Sequence, residues 1–262
     1  VDGATGDTSS TMLVVADFVW REAPLSSLQA PIGTGVIYVV VVLVLSRVIT
    51  PARAIDTKPL QALHNLVLCL LSAVMAIGTL REVVMRSNEE SSVRWMFCEN
   101  PSTQPNGALF FWSYVYYLSK YHELLDTVLQ LLKGRPPPHF ALHVYHHSVV
   151  LLMAWAWLEY AQSLQYFGLL FNTSVHVLMY YYYYRRVMGV DVWWKHYVTQ
   201  FQIVQFVTSL CCYAATLFML YSGSECAGTV PLALNFVFNV TLLYQFVNVL
   251  KKGKRQQKSK AS

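Results

Sequence analysis

The amino-acid sequence predicts an all-α, polytopic membrane protein with seven transmembrane helices. Apolar residues make up 55% of the 262 residues and charged residues only 13%, and the mean hydropathy is +0.38. Soluble domains carry charged residues at about 25%. The sequence also contains a series of apolar segments, each close to the roughly 20 residues that a helix needs to cross the hydrocarbon core.

The predicted spans follow one another without an internal repeat or a long linker. They cover residues 31–49, 60–80, 108–132, 139–157, 164–184, 197–221 and 230–250. The second span contains Gln61 and His64 and the third contains a charged cluster, so both require a bundle interior that shields polar groups. The longest predicted loop is 81–107, and the prolines at 136–138 separate the third span from the fourth. Residues 1–30 then form an N-terminal segment, 31–250 one helical domain and 251–262 a basic tail.

The distribution of charge predicts the orientation of the chain. Lys and Arg favour cytosolic loops, and seven spans place most of the 19 basic residues on one side. They are Arg47, Arg53, Lys58, Lys133, Arg135, Arg185, Arg186 and Lys195, with Lys251, Lys252, Lys254, Arg255, Lys258 and Lys260 in the tail. We therefore expect a lumenal N-terminus and a cytosolic C-terminus. Because these charges sit in short loops beside spans, no nucleic-acid partner is expected, and residues 1–20 lack the pattern of a signal peptide.

The five cysteines fall into two groups. Cys69, Cys211 and Cys212 lie within spans, where a buried apolar role is expected. Cys98 and Cys226 lie in loops on the side of the membrane opposite the basic residues. If that side is an oxidising lumen, the two would form a disulfide; two free thiols are the alternative.

Three histidines stand at the start of the fourth span, at positions 143, 146 and 147. Spacings of three and four place all three rings on one side of a helix. Ionisable groups are costly in hydrocarbon, and those that occur there usually face a cavity or one another. A lone buried histidine is usually structural, whereas this cluster indicates a functional site.

The third span carries Lys120, Glu123, Asp126 and Thr127. Helical spacing puts Lys120, Glu123 and Thr127 along one face with Asp126 beside Glu123. The cation and the carboxylates either serve the histidines or form an internal ion pair that only fixes helix packing.

The fifth and sixth spans supply further polar side chains. They are Asn172, His176, Tyr180 and Tyr183 in the fifth, and Gln200, Gln202 and Gln205 in the sixth. Substrate contacts are one role for them, and packing of the tyrosines or hydrogen bonding between helices by the amides is the other.

Depth in the membrane links these four spans. At 1.5 Å per residue, the polar positions all lie roughly 5 to 14 Å inside the cytosolic edge of the core, which predicts one polar chamber inside the bundle. Basic residues would ring its mouth, namely Lys133, Arg135, Arg185, Arg186 and Lys195. This ring suits a phosphate-bearing substrate, although topology alone places charges in the same loops.

Four motifs together resemble the ELO family of very-long-chain fatty-acid elongases. They are KxxExxDT at 120–127, HxxHH at 143–147, HxxMYxYY at 176–183 and TQxQxxQ at 199–205. The resemblance implies condensation of acyl-CoA with malonyl-CoA to 3-oxoacyl-CoA, carbon dioxide and CoA, with no cofactor and no metal. It also implies membrane lipid, 3-ketoacyl-CoA reductase, dehydratase and enoyl reductase as partners, and a homodimer as the oligomeric form to test.

The chemistry of this reaction suggests roles for single residues, which we state as hypotheses. His146 would be the nucleophile that forms an acyl-imidazole, with His143, His147 and His176 as proton-transfer and orienting partners. Asp126 or Glu123 would fix a ring tautomer. Lys120 and the polar residues of the fifth and sixth spans would orient thioester and enolate oxygens or support the histidines. In having Val144 directly after the first histidine of the box, the sequence resembles family members that act on longer or polyunsaturated acyl chains.

The tail supplies the predicted location. Lys258 and Lys260 resemble a dilysine retrieval signal of the endoplasmic reticulum, and juxtamembrane charge is the other explanation.

Two other classes compete with this interpretation. HxxHH also occurs in membrane di-iron desaturases and hydroxylases, where several boxes supply about eight histidines; here His64, His122, His139 and His196 lack the paired spacing of further boxes. A seven-helix acyl-CoA transporter is supported only by the number of spans.

Overall fold

The structure is a computed structural model that describes the backbone of residues 15–261 and the side chains of residues 15–251. It is all-helical, with 76% helix, and within the described part the extended pairing is limited to one bridge between Val19 and Asn106. The helices are α1 (Gln29–Val48), α2 (Lys58–Glu89), α3 (Ala108–Glu123), α4 (Leu125–Leu132), α5 (Phe140–Glu159), α6 (Gln165–Val187), α7 (Lys195–Tyr221) and α8 (Thr229–Ala261).

Several of these helices meet the length and apolarity that a membrane crossing demands. In the described chain they are five, namely α1, α2, α5, α7 and α8 as far as Lys251. The chain is therefore a multi-pass membrane protein. The predicted third and fifth spans are not among the five, because the third is divided between α3 and α4 and the fifth, α6, carries many polar residues.

At three places the helices differ from the predicted spans. Helix α2 continues to Glu89, so residues 81–89 are helical and not part of a loop; Arg86 bonds Glu90 and Glu99 there. Helix α8 continues past residue 250. The predicted third span breaks at Leu124, whose N–H donates to the Tyr121 carbonyl three residues back, so a second helix begins at Leu125.

The helices form a ring. Contacts run from α2 to α3, α5, α8, α7, α6 and back to α2, while α1 lies outside and packs on α4 and α5. A closed ring of this kind leaves space along its axis.

The polarity of the bundle is the reverse of that of a soluble protein. On α2, Gln61, His64, Asn65 and Thr79 are buried, whereas Leu63, Leu70 and Ile77 are at least 58% exposed. Apolar surface of this extent requires lipid around it, and the polar groups turn toward the interior, as expected in hydrocarbon.

The end of the bundle opposite the basic loops is tied together. The structure joins Cys98 and Cys226 in a disulfide with Cα atoms 4.8 Å apart. Beside it, the Arg86 guanidinium donates to both oxygens of Glu99, at 2.6 and 2.8 Å. Residues 1–14 and the side chains after Lys251 lie outside the described part, and with them the proposed dilysine signal at Lys258 and Lys260.

Candidate active site

A cavity of about 650 Å³ lies along the axis of the ring. Toward the basic loops its wall contains Lys133, Arg186 and Lys195, and its middle contains the histidines of α5. Beyond them the wall becomes largely apolar. One continuous space thus has a charged mouth, a polar centre and an apolar arm.

Most of the site residues predicted from the sequence line this cavity. They are Glu123, Asp126, Lys133, His143, His146, His147, Asn172, His176, Tyr180, Tyr183, Arg186, Gln202 and Gln205. Helices α3 to α7 therefore bring the four motifs to one place.

Four predicted residues are not part of the cavity wall. Lys120 is buried behind Glu123, and Arg135 and Gln200 are exposed. Arg185 lies over the ring of Tyr181 and donates to its hydroxyl at 3.0 Å. The helical face that carries Gln202 and Gln205 turns inward, so the neighbouring Gln200 turns out.

The histidine box begins directly after a sharp change of direction. His139 has a left-handed backbone with φ 59° and precedes α5. His147 then lies with its ring centroid 6.0 Å from that of His143 and 5.2 Å from that of His146. The Nδ1 atoms of His146 and His147 are buried and make no hydrogen bond to the described residues. Both rings line the cavity, whereas these two nitrogen atoms themselves have almost no accessible surface.

Asp126 is held by two donors from other helices. The His64 Nε2 atom lies 2.7 Å from Oδ1, and the Tyr180 hydroxyl donates to Oδ2 at 2.8 Å. Nε2 of His147 lies 4.0 Å from Oδ2. The carboxylate is therefore fixed in place next to the box.

Glu123 is held by a buried cation. Lys120 Nζ donates to its Oε1 at 2.7 Å and to Asn172 Oδ1 at 3.0 Å. Nδ1 of His176 lies 3.4 Å from the same Glu123 oxygen. Lys120 and Glu123 are each 1% exposed, so both charges depend on this pairing.

Sequence reasoning missed several polar residues of the site on α2. Gln61, His64 and Asn65 line the cavity, and His64 also contacts His122. The signal was present as a stripe of polar residues with helical spacing, since 61, 64 and 65 share a face with Ser72 and Thr79.

Two asparagines of α8 were missed as well. Asn235 and Asn239 line the cavity, and Asn239 donates to the side-chain oxygen of Asn235 at 3.0 Å. An Asn pair four residues apart in an apolar span is the pattern that could have indicated them.

A metal centre was the chemical alternative for the histidine box. Among residues 15–251, no group of three or more His, Cys, Asp or Glu side chains is arranged to hold a metal ion. The ionisable side chains of this site instead form hydrogen bonds and ion pairs with one another.

Comparison with known proteins indicates the same family as the motifs. The model of the GNS1/SUR4 (ELO) family matches residues 23–262. Fatty acid elongase sre1 of Dictyostelium discoideum is 36% identical over 196 residues, 74% of this chain and 72% of that protein. Fatty acid elongase 4 of Trypanosoma brucei brucei is 32% identical over 228 residues, 86% of this chain and 84% of that protein.

Some relatives are longer than this chain. A D. discoideum protein provisionally named a fatty acid elongase is 36% identical over 190 residues, which are 72% of this chain but only 63% of that protein. The family match nevertheless extends over nearly all of the sequence. The chain belongs to the ELO family, and the relatives described above are named fatty acid elongases.

Proposed function

We propose that the protein condenses acyl-CoA with malonyl-CoA to 3-oxoacyl-CoA, carbon dioxide and CoA. One observation carries this proposal: two histidines with unpaired ring nitrogens line a cavity that has basic groups at one end and apolar walls at the other. The basic end suits the phosphates of CoA, and the apolar arm suits a fatty acyl chain.

The first half of the reaction is acyl transfer to His146. A ring nitrogen attacks the thioester carbonyl, the carbon–sulfur bond breaks, and CoA leaves with the proton of the imidazole. The product is an acyl-imidazole. His143, His147 and His176 serve as orienting and proton-transfer partners, and Asp126 and Glu123 hold their positions through the contacts described above.

The second half forms the carbon–carbon bond. Malonyl-CoA loses carbon dioxide, the electron pair passes to an enolate, and the enolate carbon attacks the acyl carbonyl. The imidazole leaves as its anion and takes up a proton. Asn172, Tyr183, Gln202 and Gln205 supply donors for the oxyanions, while the Tyr180 hydroxyl supports Asp126. Exclusion of water protects the acyl group from hydrolysis.

This reaction also assigns an orientation to the bundle. In this proposal the chain crosses the membrane seven times, with α3 and α4 together as the third crossing and α6 as the fifth. The cavity mouth and the tail then lie in the cytosol, the N-terminus lies in the lumen, and the disulfide lies on the oxidising side. The membrane would be that of the endoplasmic reticulum. The 3-oxo product would pass to 3-ketoacyl-CoA reductase, dehydratase and enoyl reductase.

The decisive experiment follows product and intermediate separately. Purified protein with labelled malonyl-CoA and a series of acyl-CoAs should yield 3-oxoacyl-CoA. With acyl-CoA alone it should release one CoA per site and leave an acyl group on the peptide that contains His146. His146→Ala should lose both, because no other group of the box is proposed to carry the acyl chain.

The matched control is His196→Gln, at an exposed histidine next to Tyr197 on α7. This variant should keep both activities. Normal condensation by His146→Ala would disprove the covalent route, and transport of acyl-CoA without any product would favour the transporter.

A further inference from the structure

A chain of hydrogen bonds leads from His122 through His64 to Asp126. The two ring planes are nearly parallel, at 14°, and the ring centroids lie 4.9 Å apart. Nε2 of His122 lies 3.0 Å from Nδ1 of His64, and Nε2 of His64 lies 2.7 Å from Asp126 Oδ1. An ionised carboxylate only accepts, so with neutral rings His64 donates through Nε2–H and accepts from His122 at Nδ1. The donors therefore all point toward Asp126.

The two ends of this chain lie in different environments. His64 is 5% exposed and lines the cavity. His122 is only half-buried and is not part of the cavity wall. This end of the chain is therefore separate from the cavity.

The proposed reaction needs a proton from outside. Acylation is proton-neutral, because the imidazole proton leaves with CoA. Condensation is not, since carbon dioxide departs without a proton and the imidazole anion must gain one. Each turnover thus takes up one proton at a time when CoA esters occupy the cavity mouth.

We propose that His122 and His64 form the path by which this proton enters, a role that rests on the proposed function. A proton binds Nδ1 of His122, the Nε2 proton of His122 passes to His64, and the Nε2 proton of His64 passes to Asp126. The Asp126 carboxyl lies 4.0 Å from His147, which adjoins His146 and delivers the proton to the imidazole anion.

The other ionisable groups near this path lie inside the bundle or, like His143, on the wall of the cavity whose mouth the CoA esters occupy. Tyr180 donates to Asp126 from inside the bundle. Glu123 is closed off by Lys120 and His176, and all three of these residues are at most 7% exposed. Of the histidines in this network, His122 is the one that is not part of the cavity wall.

The test separates the proton-neutral half of the reaction from the half that takes up a proton. His122→Gln and His64→Gln keep a side chain that can hydrogen-bond but does not relay protons, and His196→Gln is the control. For each protein, rapid quenching measures CoA release from acyl-CoA alone, and steady-state turnover is then measured with malonyl-CoA in H₂O and D₂O.

His122→Gln should acylate like the wild type but turn over on the order of 10²-fold more slowly, as expected for loss of a proton-transfer group, with a larger solvent isotope effect. His64→Gln also removes a partner of Asp126, so its acylation should fall as well, but its turnover should fall further than its acylation and show the larger isotope effect. Equal slowing of both halves, with an unchanged isotope effect, would show that the pair only supports the fold and would overturn the path. Unchanged turnover in both variants would overturn it too. Failure of the wild type itself to release CoA would instead refute the proposed function.

Discussion

At the scale of single residues, two carboxylates three positions apart have different partners. Glu123 pairs with the Lys120 side chain, and Asp126 contacts His64 and Tyr180. His176 lies beside the first carboxylate and His147 beside the second. Two of the histidines of the proposed reaction therefore each lie next to a different carboxylate.

The Lys120–Glu123 pair gives a prediction about stability. Glu123→Gln removes the negative charge and leaves the Lys120 ammonium buried with Asn172, which should cost on the order of 3–5 kcal/mol of unfolding free energy. Thermal unfolding in detergent measures the loss.

The double variant Lys120→Met with Glu123→Gln is the control for this prediction. It removes both charges, so it should recover most of the lost stability. If the single and double variants unfold alike, Lys120 is not charged in the folded protein. Condensation by the double variant also decides whether the pair serves catalysis or only packing, the alternative that the sequence left open.

At the scale of helices, the sequence predicted more of α5 than of its neighbours. The spacing of 143, 146 and 147 predicted one functional face, because a helix fixes that relation locally. The extension of α2 to Glu89 is accompanied by a contact between Arg86 and Glu99, 13 positions apart in sequence, which the pattern of α2 alone does not show. His64 was missed for the same reason, since its partners Asp126 and His122 are about 60 positions away in sequence.

The face of α5 that carries the box continues as the wall of the apolar arm. His146, Val150, Met153, Ala154 and Trp157 all line the cavity. The Trp157 ring stacks on Tyr116 with centroids 5.2 Å apart, and it fills the space beside Gly168, where a Cβ atom would lie 2.7 Å from the ring. Trp157 therefore closes part of the far end of the arm.

This arrangement predicts that Trp157 limits the length of the acyl chain. The eleven residues from His146 to Trp157 span about 16 Å, which an extended chain of roughly 13 methylene groups would fill. Trp157→Ala should shift the 3-oxo products toward longer chains, measured by mass spectrometry with an acyl-CoA series.

The matched control is Trp155→Ala. Trp155 has the same 8% exposure as Trp157, but its indole donates to the Ser26 carbonyl and the residue is not part of the cavity wall. It should lower stability without changing chain length. An identical product profile for both variants would contradict a limiting role for Trp157.

At the scale of the whole molecule, the two ends of the bundle have different properties. The polar network and the cavity mouth lie toward the basic loops, where the chemistry is proposed to occur. The opposite end is fastened by groups that are distant in sequence, including the disulfide across 128 positions and the bond from the Ala227 N–H to the Glu99 carbonyl at 2.8 Å. This end links the loop after α2 to the loop between α7 and α8, and so helps to hold the ring of helices together.

The disulfide should therefore affect stability and not chemistry. Cys98→Ser with Cys226→Ser removes a crosslink around a long loop, which should cost about 2–4 kcal/mol of unfolding free energy, and reduction of the wild type should lower its melting temperature to the same value. CoA release from acyl-CoA at a temperature where both proteins are folded should be unchanged. Cys211→Ser, at an exposed free thiol, is the control and should keep the response to reductant. If reduction leaves the melting temperature of the wild type unchanged, the ring is held by packing and ion pairs alone, and Cys98 and Cys226 contribute nothing to its closure.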